Sequence, residues 1–267
     1  MKYVRYRAGT TTAHGILEGD AVHEVTGDIY SGARRTGRIL DLSDLKLLAP
    51  CEPSKIVAIG LNYADHAAEA KRQIPDEPII FMKAPTSIIG PDEAIVLPSQ
   101  DRRTDHEAEL VIVMGKKCRK VGRNDALKYV FGYTCGNDVS DRIIQRKDGQ
   151  WVRAKSFDTF CPLGPIVETD LDPDNLGIKT LVNSIVKQDS NTRHLIFSCS
   201  VLIEAVSAVM TLLPGDIIMT GTPEGVSPIK HGDVVEVVVE KIGTLRNPVV
   251  FDGGTVSGDR PTAEFRL

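Results

Sequence analysis

The chain has few of the features that mark nucleic-acid-binding or membrane proteins. It contains one tryptophan, and its formal net charge at pH 7 is −4, so there is no excess of basic residues to contact phosphates. No apolar run is long enough to span a bilayer, and the basic residues of the start, MKYVRYRAGTTT, are not followed by the apolar core of a secretory signal. We therefore expect neither nucleic acid nor a membrane as a partner.

Cysteine is also sparse, and its spacing fits neither a disulfide framework nor a zinc site. The number is odd, no two cysteines form a C-x-x-C pair, and the five positions are widely separated: Cys51, Cys118, Cys135, Cys161 and Cys199. We expect five reduced, buried thiols in a cytoplasmic protein.

The composition is that of a folded globular protein, with 42% hydrophobic and 25% charged residues. Near the start, residues 2–6 and 21–25 have strand patterns, and a hairpin-like turn at 18–20 precedes the second of them. A polar, glycine-containing stretch follows at 27–37, and no strand is assigned to it. These segments predict a small β unit without evident chemistry of its own.

Two prolines, Pro50 and Pro53, discourage continuous structure and mark a domain boundary. We therefore predict a small N-terminal β domain at residues 1–50 and a larger domain at 54–267. The larger domain has an α+β pattern with a large β component.

The elements of the larger domain are predicted from apolar runs and helix signals. Strands are expected at residues 55–60, 79–82, 108–114, 166–167, 217–219 and 234–239. Helices are expected at 63–73, with Asn62 as the N-cap, at 124–130 and at 201–213.

Two glutamates, Glu107 and Glu109, lead into the apolar run at 110–114. Side chains at i and i+2 of a strand share a face, so both carboxylates lie on the side that Val111 and Val113 continue. Two like charges at the edge of a core repel each other and are costly to desolvate, and a hard divalent cation removes this conflict. The pattern alone also fits two glutamates at a solvated strand end.

A third carboxylate, Asp138, lies in a segment with two glycines that allow close approach of the backbone. Taken alone, Asn137-Asp138 is also typical of a turn. Together with Glu107 and Glu109, the aspartate would complete an open three-ligand site for magnesium, manganese or calcium, with positions left for water and substrate.

On the predicted helix, His66 and Glu69 are three residues apart and lie on one face. A carboxylate beside an imidazole fixes its tautomer and raises its basicity, as a water-activating base requires. The same spacing also fits an ordinary surface pair.

Two further segments could contact an anionic substrate. Lys155 lies among apolar and turn residues, where a partly buried ammonium needs an anion, although an exposed lysine fits the same pattern. The Gly/Thr-rich stretch at 219–226 could bind a carboxylate or form a plain tight turn, and it lacks the ending of a phosphate-binding P-loop.

Six motifs in this order resemble those of the fumarylacetoacetate hydrolase family, in its bacterial acylpyruvase, oxaloacetate decarboxylase and isomerase branch. They are Gly60-Leu61-Asn62-Tyr63-Ala64-Asp65-His66 with Glu69, Phe81-Met82-Lys83-Ala84-Pro85, His106-Glu107-Ala108-Glu109-Leu110, Gly136-Asn137-Asp138-Val139-Ser140, Ala154-Lys155-Ser156-Phe157-Asp158 and Thr220-Gly221-Thr222-Pro223. The resemblance covers the chain from about residue 54 onward, and the N-terminal unit is similar to one that many bacterial members carry.

The resemblance implies a β-rich roll of mixed sheets, a homodimer, and Mg²⁺ or Mn²⁺ as the cofactor. It also implies three sets of site residues. The catalytic set is His66, Glu69 and Lys155, the substrate-binding set is Arg142, Gln145 and Thr222, and the metal set is Glu107, Glu109 and Asp138. The chain departs from the family pattern at Asp141, where alanine is usual, and at Ile143, where an acid is usual.

These residues lead to a mechanistic hypothesis. A cation would chelate the carboxylate and 2-oxo oxygens of a 2-oxo or 2,4-dioxo acid and stabilise the enolate that forms when a C–C bond breaks. The presence of both His66 and Glu69 favours a hydrolase or decarboxylase. An isomerase of 2-hydroxyhepta-2,4-diene-1,7-dioate in aromatic catabolism is the alternative, because it shares this type of intermediate. A non-catalytic binding protein on the same fold would have little need for both the triad and the dyad.

Overall fold

A computed structural model describes residues 1–251 of the chain, and it confirms the predicted α+β, β-rich fold class with mixed sheets. The part of the predicted 54–267 domain that lies beyond Phe251, residues 252–267, is outside the described residues.

The N-terminal segment forms five strands, of which the first four build a meander while the fifth pairs with the first. They are β1 (Lys2–Ala8), β2 (Thr11–Glu18), β3 (Ala21–Thr26), β4 (Arg34–Asp41) and β5 (Lys46–Leu48). The turn predicted at residues 18–20 joins β2 to β3, and Gly19 takes the positive φ of +61° that this tight turn requires. Strand β4 was not expected, because its exposed and polar residues have no alternating apolar pattern; pairing with β3 forms it.

The rest of the described chain forms fourteen strands, and many of these are short. They are β6 (Ile56–Gly60), β7 (Ile79–Lys83), β8 (Ile88–Ile89), β9 (Ile95–Leu97), β10 (Thr104–Asp105), β11 (Ala108–Met114), β12 (Val130–Asn137), β13 (Ser140–Asp141), β14 (Cys161–Glu168), β15 (Gly177–Val182), β16 (Ile185–Asn191), β17 (Ile217–Met219), β18 (Val234–Val239) and β19 (Gly243–Phe251).

The largest sheet has twelve strands, and its main path runs in the order β4-β3-β2-β1-β14-β12-β11-β17-β6-β7. Strand β11 lies inside this sheet, antiparallel to both β12 and β17, and it is buried along its whole length. Its side chains alternate between two core clusters, with Leu110 and Ile112 in one and Val111 and Val113 in the other. The N-terminal strands continue this same sheet, because β1 pairs with β14.

A second sheet has five strands in the order β16-β15-β18-β19-β9, and it packs against the large sheet. The largest core cluster joins the two, with Leu110 and Cys135 from the large sheet and Ile178 and Val237 from the second sheet. Strand β18 illustrates how the second sheet contributes to this core. Its residues alternate between half-buried and buried, because one face of the strand packs against the core.

Five α-helices lie in the described chain: α1 (Ala64–Glu69), α2 (Arg123–Ala126), α3 (Arg142–Asp148), α4 (Val152–Lys155) and α5 (Cys199–Val209). The helix predicted at 124–130 was wrong in extent, because α2 is followed by a 3-10 turn at Leu127–Tyr129 and Val130 already belongs to β12. The helix predicted at 201–213 begins and ends earlier, as α5. Further 3-10 turns lie at Leu42–Asp44, Pro85–Ser87 and Thr192–His194.

The predicted N-cap at Asn62 was wrong, and so was the length of its helix. Helix α1 follows Tyr63 without a side-chain cap and ends at Glu69. The Asn62 amide instead donates to the carbonyl oxygens of Thr220 (2.7 Å) and Phe197 (3.0 Å). Tertiary hydrogen bonds that tie α1 to distant loops therefore take precedence over local capping.

All five cysteines fall within residues 1–251 and are buried free thiols, as expected. Within the same part of the chain, no helix has both the length and the apolar character to cross a bilayer.

Candidate active site

Three acidic side chains meet where β11 begins and β12 ends. Glu107 directly precedes β11 and Asp138 directly follows β12, and the pairing of Ala108 with Asn137 brings them together. The Asp138 amide donates to the Glu107 carbonyl oxygen at 2.9 Å. Glu109 is the second residue of β11 and lies two positions after Glu107, so the two carboxylates share one face. One oxygen from each carboxylate lies within 4.8 Å of the others, and this donor set could hold a divalent cation.

Two buried lysines compensate the negative charge of the triad. Lys83, at the end of β7, donates to Asp138 Oδ1 at 2.5 Å and to the Phe160 carbonyl oxygen at 2.9 Å. Lys155, at the end of α4, donates to Asp138 Oδ2 at 2.5 Å and to Glu107 Oε2 at 2.9 Å. Each lysine is only 2% exposed, so each ammonium depends on these carboxylates for its stability.

Arg142 extends this network of charges from helix α3. Its guanidinium lies 2.6 Å from Glu107 Oε1, and its Nε donates to Asp105 Oδ2 at 2.8 Å. Asp105 in turn accepts two hydrogen bonds from Arg103. Asp105 thus anchors the Arg142 side chain that contacts the triad.

Burial and neighbouring charges move the pKa values of the two glutamates in opposite directions. Burial raises the pKa of Glu107, but Lys155 and Arg142 outweigh it and hold that pKa well below its ordinary value. Burial also raises the pKa of Glu109, and the negative charges of Asp138 and Glu107 raise it further, to well above its ordinary value. Glu109 is therefore the carboxyl group whose ionised form most needs an additional cation nearby.

Two of the three carboxylates, those of Glu107 and Glu109, line a cavity of about 520 Å³. Eight of the nine predicted site residues line it: His66, Glu69, Glu107, Glu109, Arg142, Gln145, Lys155 and Thr222. The ninth, Asp138, lies behind them, in contact with Lys155 and Lys83. The structure therefore brings all nine side chains together, whereas their roles stay predictions.

His66 and Glu69 form a pair on the wall of this cavity. His66 Nδ1 donates to Glu69 Oε2 at 3.2 Å when the ring carries its hydrogen on that nitrogen. The Glu69 carboxylate also accepts from the Gly225 amide at 3.2 Å, which ties α1 to the loop after β17. The tautomer that this pair favours leaves His66 Nε2 able to accept a proton.

Helix α3 presents one face to the cavity, because Arg142 and Gln145 are three residues apart and hydrogen-bonded to each other at 2.9 Å. Asp141, which stands where the family pattern has alanine, caps helix α3. Its Oδ1 accepts hydrogen bonds from the amides of Ile143 (3.1 Å) and Ile144 (3.0 Å). Ile143 is 46% exposed and is not among the lining residues. With Asp141 and Ile143 at these positions, Arg142 and Gln145 both line the cavity.

The loop after β17 completes the wall at Thr222. Gly221 has a φ of +96°, and a Cβ on it would lie 2.7 Å from the Asn62 Cβ, so only glycine fits this turn. Its amide donates to Glu109 Oε2 at 2.7 Å. The glycine thus links the triad directly to the loop that carries Thr222.

Several site residues were missed by the sequence analysis. Lys83 was named there only within the family motif at 81–85, without a role, because its contact with Asp138 joins segments that are distant in the chain. Asp105 lies two residues before Glu107, and this i, i+2 spacing was a sequence signal that Asp105 belongs to the site. No sequence signal indicates Trp151. Its ring packs edge-on against Phe81, with 5.1 Å between the ring centroids, and lines the cavity wall.

The mixed sheets, together with helices α1 and α3, bring acidic, basic and imidazole side chains to one cavity, and they define the class of the molecule, an α+β protein with an enzyme-like site. Comparison with known sequences gives its family. The profile described as "Fumarylacetoacetate (FAA) hydrolase C-terminal" matches residues 55–250, and the chain belongs to this family, whose members include enzymes. A second profile, "Rv2993c-like, N-terminal", matches residues 1–50.

Three relatives show what this chain is similar to. The oxaloacetate tautomerase fahd2, mitochondrial, of Xenopus laevis is 46% identical over 225 residues, 79% of this chain and 70% of that protein. The structure of a 5-carboxymethyl-2-hydroxymuconate delta-isomerase from Mycobacterium smegmatis is 48% identical with a TM-score of 0.89, over 94% of this chain and 100% of that one. A maleylpyruvate hydrolase from Sphingobium sp. SYK-6, in complex with manganese(II) ion and pyruvate, is 33% identical with a TM-score of 0.79, over 94% and 99% of the two chains.

Proposed function

We propose that this protein is a divalent-metal-dependent enzyme that cleaves a C–C bond in a 2-oxo or 2,4-dioxo acid, as a hydrolase or a decarboxylase. The observation that carries the proposal is the position of the His66–Glu69 pair in the same cavity as the carboxylate triad. A general base and a candidate metal site beside one cavity are the parts that such a reaction needs.

Glu107, Glu109 and Asp138 would hold the cation. Three buried carboxylates form an all-oxygen donor set that suits Mg²⁺ or Mn²⁺, and the raised pKa of Glu109 follows from burial and like charges that a cation would offset. When bound, the cation would supply a Lewis acid for the 2-oxo group of the substrate. The maleylpyruvate hydrolase relative, whose structure is in complex with manganese(II) ion, supports a divalent cation as the cofactor.

His66 would act as the general base. Glu69 accepts the hydrogen of His66 Nδ1 and so leaves Nε2 to take a proton from water in the cavity. A decarboxylase does not need water to attack the substrate. In that reaction the His66–Glu69 pair would only deliver a proton to the product.

The remaining predicted residues would bind the anionic substrate. Lys155 and Arg142 keep positive charge at the cavity wall, because the carboxylates beside them outweigh the effect of burial and raise the pKa of both groups. Gln145 and Thr222 add neutral polar groups at the same wall. Together they would orient a carboxylate relative to the triad.

An isomerase or tautomerase is the second candidate function. The names of two relatives favour it, the delta-isomerase at 48% identity and the oxaloacetate tautomerase at 46% identity. The same site would then only move a proton and a double bond, without breaking a C–C bond.

A panel of substrates tests the proposal and separates the candidates. Acylpyruvates, oxaloacetate, fumarylacetoacetate and 2-hydroxyhepta-2,4-dienedioate are each incubated with the protein and Mn²⁺, and the products are followed by NMR. C–C cleavage products support the hydrolase or decarboxylase, whereas rearranged acids of unchanged carbon count support the isomerase. No turnover of any of these acids would contradict both.

The homodimer and the cytoplasmic location that the sequence analysis expects stay predictions. Light scattering on the purified protein tests the dimer.

A further inference from the structure

Gln188 is a buried polar residue that the sequence analysis did not single out. It lies on β16, where it is 1% exposed while three residues before it and the one after it are exposed. It is not among the residues that line the cavity, but its side chain contacts Thr222, which is.

The orientation of the Gln188 amide is determined by two backbone groups. Its Oε1 accepts from the Ala108 amide at 3.0 Å, and its Nε2 donates to the Pro223 carbonyl oxygen at 2.8 Å. A backbone N–H cannot accept and a carbonyl cannot donate, so the nitrogen and oxygen of the side chain cannot be exchanged. Thr180 Oγ1 (2.7 Å) and His106 Nδ1 (3.2 Å) also contact Oε1 and agree with this orientation.

This orientation of the Gln188 amide determines the hydrogen bonding of the Thr222 hydroxyl. Gln188 Nε2 donates its second hydrogen to Thr222 Oγ1 at 2.8 Å. Because a hydroxyl has one hydrogen and this bond uses only its acceptor side, that hydrogen remains for another partner. Thr222 lines the cavity, where a substrate carboxylate would be such a partner.

We infer that Gln188 is a positioning residue that makes the Thr222 hydroxyl a hydrogen-bond donor toward the carboxylate of a 2-oxo acid in the cavity. The inference rests on the proposed function. Gln188 touches no substrate itself and acts through the direction of one O–H bond.

Gln188 itself holds the backbone of the loop at the Pro223 carbonyl oxygen, and two further contacts hold it elsewhere. Gly225 has a φ of +92° and packs so closely against β16 that a Cβ would lie 2.1 Å from the Lys187 carbonyl oxygen. Ser227 Oγ, two residues after Gly225, lies 2.9 Å from His106 Nε2. The Gly225 and Ser227 contacts remain when the Gln188 amide is lost.

A double-mutant cycle tests this inference with Gln188→Met and Thr222→Val. Pyruvate serves as the probe, and its Kd is measured by calorimetry on the Mn²⁺-loaded protein, without turnover. Thr222→Val is expected to raise the Kd about tenfold, because it removes a hydrogen bond to a charged group. Gln188→Met is expected to raise it about fivefold alone, but less than about twofold in the Thr222→Val background, because the hydroxyl that it directs is then absent.

Thr180→Val is the matched control. It removes a different buried hydrogen bond to the same amide, while Ala108 and Pro223 keep the orientation of that amide. Its Kd for pyruvate is expected to stay within about twofold of wild type. If Gln188→Met does not fold, Gln188→Asn replaces it in the cycle, since its amide is one methylene too short to reach Thr222.

The possible outcomes are distinct. Equal increases in Kd from the Gln188 substitution in both backgrounds would show a purely structural role and overturn the inference. A wild-type protein that binds no pyruvate and turns over no acid of the panel would overturn the proposed function, and the inference with it. Pyruvate binding that Gln188 affects only through Thr222 supports both.

Discussion

Lys83 Nζ lies 2.5 Å from Asp138 Oδ1, and both side chains are buried, with 2% and 1% of their surface exposed. The two residues are 55 positions apart in the chain, and Lys155 contacts the other oxygen of the same carboxylate. Asp138 thus contacts two ammonium groups, one at each of its carboxylate oxygens. This relationship makes the charge balance of the triad testable.

Replacement of Lys83 by methionine should lower the free energy of unfolding by about 3 kcal/mol, because it leaves part of a buried negative charge uncompensated. Saturating Mn²⁺ should recover part of this loss, since a cation replaces the missing positive charge. Urea unfolding with EDTA and with Mn²⁺ measures both effects. Lys179→Met is the control: it breaks the exposed pair with Asp189 and should cost less than about 1 kcal/mol. Unchanged stability of the Lys83 variant would contradict this account.

Glu109→Gln should abolish Mn²⁺ binding while the metal-free protein keeps its stability to within about 1 kcal/mol. Burial and the charges of Asp138 and Glu107 raise the pKa of Glu109, so a neutral amide of the same shape resembles the protonated acid. Calorimetric titration with Mn²⁺ and thermal unfolding in EDTA check the two parts. Wild-type Mn²⁺ affinity in this variant would remove Glu109 from the metal set.

His66→Ala should reduce kcat of a hydrolytic reaction by about 100-fold or more, because a general base is lost. Mn²⁺ affinity should stay at the wild-type value, since His66 is outside the metal set. Glu69→Gln should give a smaller loss in the same direction, because it removes the carboxylate that orients the ring. Steady-state kinetics together with calorimetry separate these effects, and full hydrolytic activity of His66→Ala would exclude its role as base.

Asp141→Ala should lower the free energy of unfolding by about 1–2 kcal/mol, because α3 loses its N-cap. Arg102, whose Nε donates to Asp141 Oδ2 at 2.6 Å, loses its partner as well. Asp141→Ser keeps a capping oxygen and should recover most of the loss. Urea unfolding of both variants measures the difference, and equal losses in the two would contradict a capping role.

The parts of the site that were predictable from sequence are those set by local geometry. The i, i+2 spacing placed Glu107 and Glu109 on one face, and the i, i+3 spacing placed His66 beside Glu69, because strand and helix periodicities fix these relationships. The family resemblance then supplied Arg142, Gln145 and Thr222, and the structure places all three at the cavity.

The parts that were not predictable depend on contacts between distant segments. Asn62 has the composition of an N-cap, but Thr220 and Phe197 compete for its amide, and nothing near it in sequence indicates them. Lys83 reaches Asp138 only through the strand order of the large sheet, in which β6 and β17 lie between β7 and β11. Gln188 is one buried residue in a largely exposed strand, and no periodicity distinguishes it.

Removal and return of the metal test the central claim most directly, on whichever acid of the panel is turned over. The protein is treated with EDTA, passed over a desalting column and assayed before and after the addition of Mg²⁺ or Mn²⁺. We expect turnover to disappear with the metal and to return with it in the wild type, and to stay absent in Glu109→Gln. Turnover that survives complete removal of divalent metal would contradict the account.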